Sequence, residues 1–205
     1  MTTGLPVGRR VYDVIYCDPP WAYRSMYRKT ANERVQSTHP EYAQMTFREL
    51  AELPIQDLAN PRGCVMLMWA TGPHVETAVR LMKAWGFSYA TVFLYWRKVS
   101  KAGKPRVGLG NYTRSSAEFL LIGRRGSNIS RLLGNRNVPQ ELEDTVRKHS
   151  QKPVKTYDVL NAFFPRDAAK IELFARVDPE AGDRLKGWDQ WGNEIPPDGF
   201  RQIPS

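Results

Sequence analysis

The sequence predicts an α/β fold, a mostly parallel sheet with helices on both faces, built as a single domain. Three observations point to it. Short β-branched and aromatic runs alternate with segments of helical period, those runs are apolar at nearly every position, and 205 residues suit one domain. Strands that are apolar throughout are buried on both sides, which is what helical layers above and below a sheet produce.

Taken in order, Val11 to Cys17 (VYDVIYC) reads as a buried strand that stops at Asp18-Pro19-Pro20. Thr46-Phe47-Arg48-Glu49 has the form of a capping box opening a short helix. Cys64 to Ala70 (CVMLMWA) is a second buried strand. Gly72-Pro73 starts a helix with Val75, Ala78, Val79, Met82 and Trp85 on one face, and Gly86 ends it. Tyr89 to Trp96 and Glu118 to Ile122 read as strands, and Pro153 to Phe164 as a helix with Val154, Tyr157, Leu160 and Phe164 inward. Ala169 to Ala175 (AKIELFA) is another strand. Arg24 to Pro40 and Ser100 to Arg114 carry no periodicity; both are polar, basic and long, the character of binding loops. Residues 1–10 and the Pro-rich end, 196–205, read as flexible extensions of the one domain.

Composition narrows the function classes. Hydrophobic residues make up 41% of the chain, enough for a real core, and the formal net charge of +9 favours a polyanionic partner. The charge is concentrated: Arg97 to Lys152 holds 13 Lys or Arg against 4 Asp or Glu, and the rest of the chain balances to zero. That segment is expected to meet phosphates. Cys17 and Cys64 sit inside apolar runs without disulfide or metal spacing, and His39, His74 and His149 have no ligand partners near them, so no metal site is expected. The first ten residues lack the apolar core of a signal peptide, and no apolar run is long enough to cross a bilayer. A soluble, cytoplasmic protein with no membrane partner is the expectation.

The chemically informative motif is Asp18-Pro19-Pro20-Trp21, directly after the first strand. The two prolines end the strand, lock φ and remove two N–H donors, which leaves the turn's carbonyls without a local donor. A carboxylate that only accepts, a rigid carbonyl and a large aromatic at a strand's carboxyl end form a corner for an amine on a flat ring. Ligands of open α/β sheets sit at that edge. Read without any relative, the same tetrapeptide is also a strand-ending turn with a packed tryptophan.

Asp-Pro-Pro-Trp after a strand resembles the signature of the MT-A70 family of adenine-N6 methyltransferases. Val65 to Gly72 (VMLMWATG), Lys170 to Arg176 (KIELFAR) and Trp191-Gly192-Asn193-Glu194 resemble three further segments of that family, in the same order and across roughly Tyr12 to Ile195. The resemblance implies a compact, bacterial or phage-type member with a Rossmann-like fold. Its cofactor would be S-adenosyl-L-methionine and its product N6-methyladenine in nucleic acid, DNA favoured over RNA. It also implies roles. Asp18, Pro19, Pro20 and Trp21 would hold the target amino group and base, and Tyr42 would line the adenine pocket. Asp18, Lys152, Arg176, Asn193 and Glu194 would hold the cofactor. Glu194 departs from the family, which usually carries a glutamine-like amide there. By analogy with related amino methyltransferases, a homodimer is one expected arrangement.

The adenine N6 lone pair is delocalised into the ring, so hydrogen bonds from both N6 hydrogens to Asp18 and the Pro19 carbonyl would orient the nitrogen. A fixed carboxylate would also offset the positive charge that grows there. Nucleic-acid contacts are expected from Tyr23, Arg24 and Arg28 in the first basic loop, and from Lys101, Lys104, Arg106 and Arg114 in the second.

Three rivals remain, and one of them, a small-molecule amine methyltransferase, is disfavoured by the concentrated positive charge. His74-Val75-Glu76 matches half of a zinc deaminase signature, but no cysteine follows Cys64, so the other half is missing. A catalytically inactive or partner-dependent nucleic-acid-binding subunit of the same fold would also be basic. Such subunits usually lose Asp-Pro-Pro-Trp, and this chain keeps it.

Overall fold

The computed structural model describes residues 5–8, 10–21, 44–108, 112–147, 151–195 and 200–201. Among these, eight strands form one sheet: β1 Val14–Cys17, β2 Gly63–Thr71, β3 Ser88–Val99, β4 Ala117–Gly126, β5 Glu141–Thr145, β6 Lys170–Leu173, β7 Trp188–Trp191 and β8 Phe200–Arg201. The order is β5-β3-β4-β2-β1-β6-β7-β8. Four of the seven neighbouring pairs are parallel, including the continuous run β2-β1-β6-β7. Three α-helices accompany the sheet: α1 Phe47–Ala51, α2 Val75–Ala84 and α3 Lys155–Phe163.

Alternation along the strands divides the core between the two faces. Ile15 and Cys17 of β1, Cys64, Met66 and Met68 of β2, and Ile171 and Leu173 of β6 face Leu50 of α1 and Ala78, Leu81 and Met82 of α2. Val14 and Tyr16, with Val65, Leu67 and Trp69, face Tyr157, Leu160 and Phe163 of α3. Both sides of the sheet are thus covered, which is why these runs are apolar at nearly every position.

The local signals largely hold. Thr46 caps α1 in a reciprocal box with Glu49, whose carboxylate accepts from the Thr46 N–H at 2.7 Å. Gly72–His74 forms a 3-10 turn before α2, and Gly86 follows the helix with φ +79°. Strand β3 runs on to Val99, past its expected end, and Pro105 bridges back to Val99. Part of the second basic stretch is therefore ordered extension of a β3–β4 hairpin. The acidic strand β5 and the polar strand β7 carry no apolar run, so periodicity does not reveal them. Within the stretches read as extensions, Pro6 is buried, Leu5 packs on the core, and Phe200 and Arg201 pair with β7.

One feature of this topology positions the site. Strand β4 runs antiparallel to β2 with Glu118 opposite Thr71, and β3 runs antiparallel to β4 with Arg97 opposite Ala117. The β3–β4 loop therefore leaves the sheet at the carboxyl edge of β1 and β2, the edge at which Asp18 stands. At the other end of β1, Asp13 ties the sheet together, accepting from Asn60 at 2.9 Å, Arg131 at 2.5 Å and the Ala169 N–H at 3.1 Å. Burial alone would raise its pKa, but these donors hold it below the ordinary carboxylate value.

Candidate active site

Strands β1 and β6 run parallel and end beside one another, and residues at their carboxyl ends form a cleft with the segment that leads into α3. Its lining includes Tyr16, Asp18, Lys152, Tyr157, Glu172, Phe174, Arg176 and Asp178. Phe174 follows β6 with φ +59°, an uncommon conformation for a side chain of that size, and its ring meets Trp191 edge-on at 5.5 Å. Gly192 follows β7, and a Cβ there would lie 2.2 Å from the Ala175 carbonyl oxygen. The two loops approach so closely that only glycine fits, and the Ala175 N–H donates to the Trp191 carbonyl at 2.9 Å.

Asp18 is partly buried, and Lys152 Nζ donates to its Oδ2 at 2.6 Å. Burial pushes the Asp18 pKa up, Lys152 opposes that, and nearby Glu118 adds to it. Lys152 also reaches Glu118 Oε2 at 3.3 Å and lies 5.8 Å from the centre of the Trp69 ring. Its backbone carbonyl accepts from Arg147, whose guanidinium pairs with Asp178 at 2.8 Å. Arg176 stands 3.7 Å from Glu194, so the carboxylate that departs from the family pattern has a cation beside it.

The prolines of the motif differ in detail from the sequence reading. The Pro19 carbonyl accepts the Trp21 N–H at 2.8 Å, and the Pro20 carbonyl accepts the Met45 N–H at 2.9 Å. Local donors therefore do occupy these carbonyls, each of which keeps a second lone pair. Trp21 is 6% exposed, belongs to the core and stacks on His74 with ring centres 5.8 Å apart. Its indole N–H is buried without a hydrogen-bond partner among the described residues.

The structure brings Asp18, Lys152 and Arg176 to one cleft and sets exposed Asn193 and Glu194 beyond the end of β7, at its side. Lys101, Lys104, Arg106 and Arg114 are all exposed on the β3–β4 loop, beside Tyr112, which is 97% exposed. Tyr23, Arg24, Arg28 and Tyr42 lie outside the described residues. Sequence reasoning missed Glu118, Glu172 and Tyr157 as site residues. The signal for the first two was present: each is a lone carboxylate within an apolar strand run, AEFLLIG and KIELF, and needs a partner if buried.

The family is decided by comparison. The MT-A70 family model matches residues 12–194. The chain belongs to the MT-A70 family. This MT-A70 methyltransferase chain is 35% identical over 209 aligned residues to the type II methyltransferase M.MunI of a Mycoplasma species, covering 96% of this chain and 83% of that one. It is 26% identical to the human N(6)-adenine-specific methyltransferase METTL4, across 91% of this chain but 38% of that protein. With the N6-methyladenosine RNA methyltransferase MTA1 of Pyricularia oryzae it shares 28% identity, over 90% of this chain and 47% of the relative. Among the described residues no helix is long and apolar enough to cross a membrane.

Proposed function

We propose that this MT-A70 chain transfers a methyl group from S-adenosyl-L-methionine to the N6 nitrogen of adenine in DNA. The observation that carries the proposal is the placement of Asp18. It stands at the carboxyl edge of the sheet, in the lining of a cleft with mixed charge, at the edge where the loop of exposed cations leaves the sheet.

The donor set fits the cofactor. Lys152 offers an ammonium to a carboxylate, Asp18 and Glu172 offer acceptors to an ammonium, and Arg176 with Glu194 stand where ribose hydroxyls could be held. When bound, S-adenosyl-L-methionine supplies an electrophilic methyl group and leaves as the thioether. The chain's own residues bind and orient. Asp18 accepts from an N6 hydrogen, turns the nitrogen lone pair out of conjugation and offsets the positive charge on nitrogen as the new N–C bond forms. The surplus N6 proton then passes to solvent. Trp21, three residues after Asp18, is packed in the core and stacks on His74. Lys101, Lys104, Arg106 and Arg114 hold phosphates, and Tyr112 offers a ring for a base, so that one nucleotide can be turned out toward Asp18.

DNA is favoured over RNA because identity is higher to a type II methyltransferase, a class that modifies DNA, than to MTA1. The test is transfer of labelled methyl from S-adenosyl-L-methionine to mixed-sequence DNA and RNA, with the modified nucleoside identified by mass. N6-methyldeoxyadenosine made by the wild-type protein and not by Asp18→Ala is the expected result. Label in RNA alone would reassign the substrate, and tight binding without transfer to either would make this an inactive or partner-dependent subunit.

A further inference from the structure

Glu118 is more deeply buried than Asp18, with its side chain 12% exposed against 28%. It sits at the start of β4, opposite Thr71. Two ammonium groups reach it: Lys98 Nζ at 2.5 Å from Oε1 and Lys152 Nζ at 3.3 Å from Oε2. Lys152 also holds Asp18 at 2.6 Å. The result is a row of alternating charge, Lys98–Glu118–Lys152–Asp18. Its far end is fixed to the basic loop, because the Lys98 N–H donates to the Ser116 carbonyl at 2.9 Å and the Arg106 N–H donates to the Lys98 carbonyl at 2.8 Å.

This row resolves a conflict at the site. In the free protein Lys152 draws on the Asp18 carboxylate at Oδ2, which weakens it as an acceptor for an incoming amino group. Freeing that oxygen would leave the ammonium, in a partly buried place, to the cofactor's carboxylate alone, and a second carboxylate within the protein lowers the cost. Glu118 is already within reach on the other side. A small displacement of Nζ toward Glu118 keeps the ammonium paired while it releases the Asp18 oxygen to the incoming amino group.

We propose that Glu118 is a positioning residue that receives Lys152 from Asp18 as substrate enters, and that Lys98 ties this exchange to the basic β3–β4 loop. The consequence for turnover rests on the methyl-transfer reading; the ion row itself belongs to the free protein. Burial of Asp18 and its raised pKa make the exchange measurable. The charged or titratable groups facing Asp18 are Lys152, Glu118, Arg176, Glu172, Tyr16 and Cys17.

The test has two arms. In the free protein, the titration midpoint of Asp18 is read from its carboxyl carbon by NMR. Glu118→Gln removes a negative neighbour and leaves Lys152 to Asp18, so the midpoint moves down. Lys98→Met strips Glu118 of its other cation and draws Lys152 away, so the midpoint moves up. In turnover, Glu118→Gln lowers kcat about tenfold while the affinities for S-adenosyl-L-methionine and duplex DNA change little, and Glu118→Asp recovers part of the loss. Should Glu118→Gln fail to fold, Lys98→Met carries both arms. An Asp18 midpoint that neither variant moves overturns the ion row. Wild-type kcat in Glu118→Gln overturns the exchange. Shifted midpoints together with no transfer by the wild-type protein would sink the methyl-transfer reading and leave the row standing.

Discussion

Glu172 lies on β6 with Tyr16 beside it on β1 and Gln190 beside it on β7, and Gln190 donates to its carboxylate at 2.6 Å. Burial pushes its pKa from 4.5 up to about 7, with Gln190 and Tyr157 as hydrogen-bond donors pulling the other way. The folded state therefore prefers the protonated carboxyl. That preference contributes fully below the unfolded value of 4.5 and is lost as pH rises through about 7. Glu172→Gln keeps the shape without the charge, so it should melt higher than the wild-type protein at about pH 8, by up to roughly 3 kcal/mol in stability. Melting curves that coincide at both ends of the range would show that the native site tolerates the anion. Asp18 makes a different prediction. Asp18→Ala should cost on the order of a thousandfold in transfer and weaken cofactor binding far less, because Asp18 alone acts on the adenine amino group whereas Glu172 shares the cofactor's ammonium. Equal loss of cofactor affinity and transfer would contradict that role. Of these residues Asp18 was legible because prolines mark it, whereas Glu172 needed the two flanking strands to show that it is buried beside the site.

Between elements, the contact that shapes the cleft is the approach of the loop after β7 to the loop after β6. Gly192→Ala puts a methyl group against the Ala175 carbonyl and must push the two loops apart. It should destabilise the fold by about 1–3 kcal/mol and weaken S-adenosyl-L-methionine binding, as read by thermal melting with and without that ligand. A variant with unchanged melting and unchanged ligand-induced stabilisation would show that this close approach is dispensable. The buried elements were readable in advance because sandwiching β1 and β2 between helices demands apolar residues at nearly every position, and Ile171 and Leu173 mark the same burial in β6. The strands at the margins were not. In β5 the sequence ELEDT holds a single apolar residue, Leu142, among three carboxylates, and its strand conformation depends on the ladder with β3, where Arg97 pairs with Glu141 and Glu143. In β7 Asp189 is buried because it accepts from the Tyr12 hydroxyl at 2.8 Å, a partner 177 residues away that no local window reveals.

For the molecule as a whole, the concentrated positive charge splits into two populations. Arg97, Lys98, Arg131, Arg147 and Lys152 are engaged with carboxylates of the fold. Lys101, Lys104 and Arg106 project from the hairpin instead, and they are the better candidates for phosphate contacts. Reversing these three charges should weaken binding to duplex DNA and make the slope of log affinity against log salt shallower by about 3. A slope equal to that of the wild-type protein would remove the loop from the interface. The sequence showed where the charge lies but not which cations the protein spends on itself. The same acidic strand that escaped notice also governs how the molecule meets its neighbours. With β5 outermost, a second sheet adding to that side would have to place its backbone along Glu141 and Glu143 and compete with Arg97 for both. Such an edge discourages strand-by-strand polymerisation, so concentrated solutions of the protein are protected from growing into fibres along this sheet.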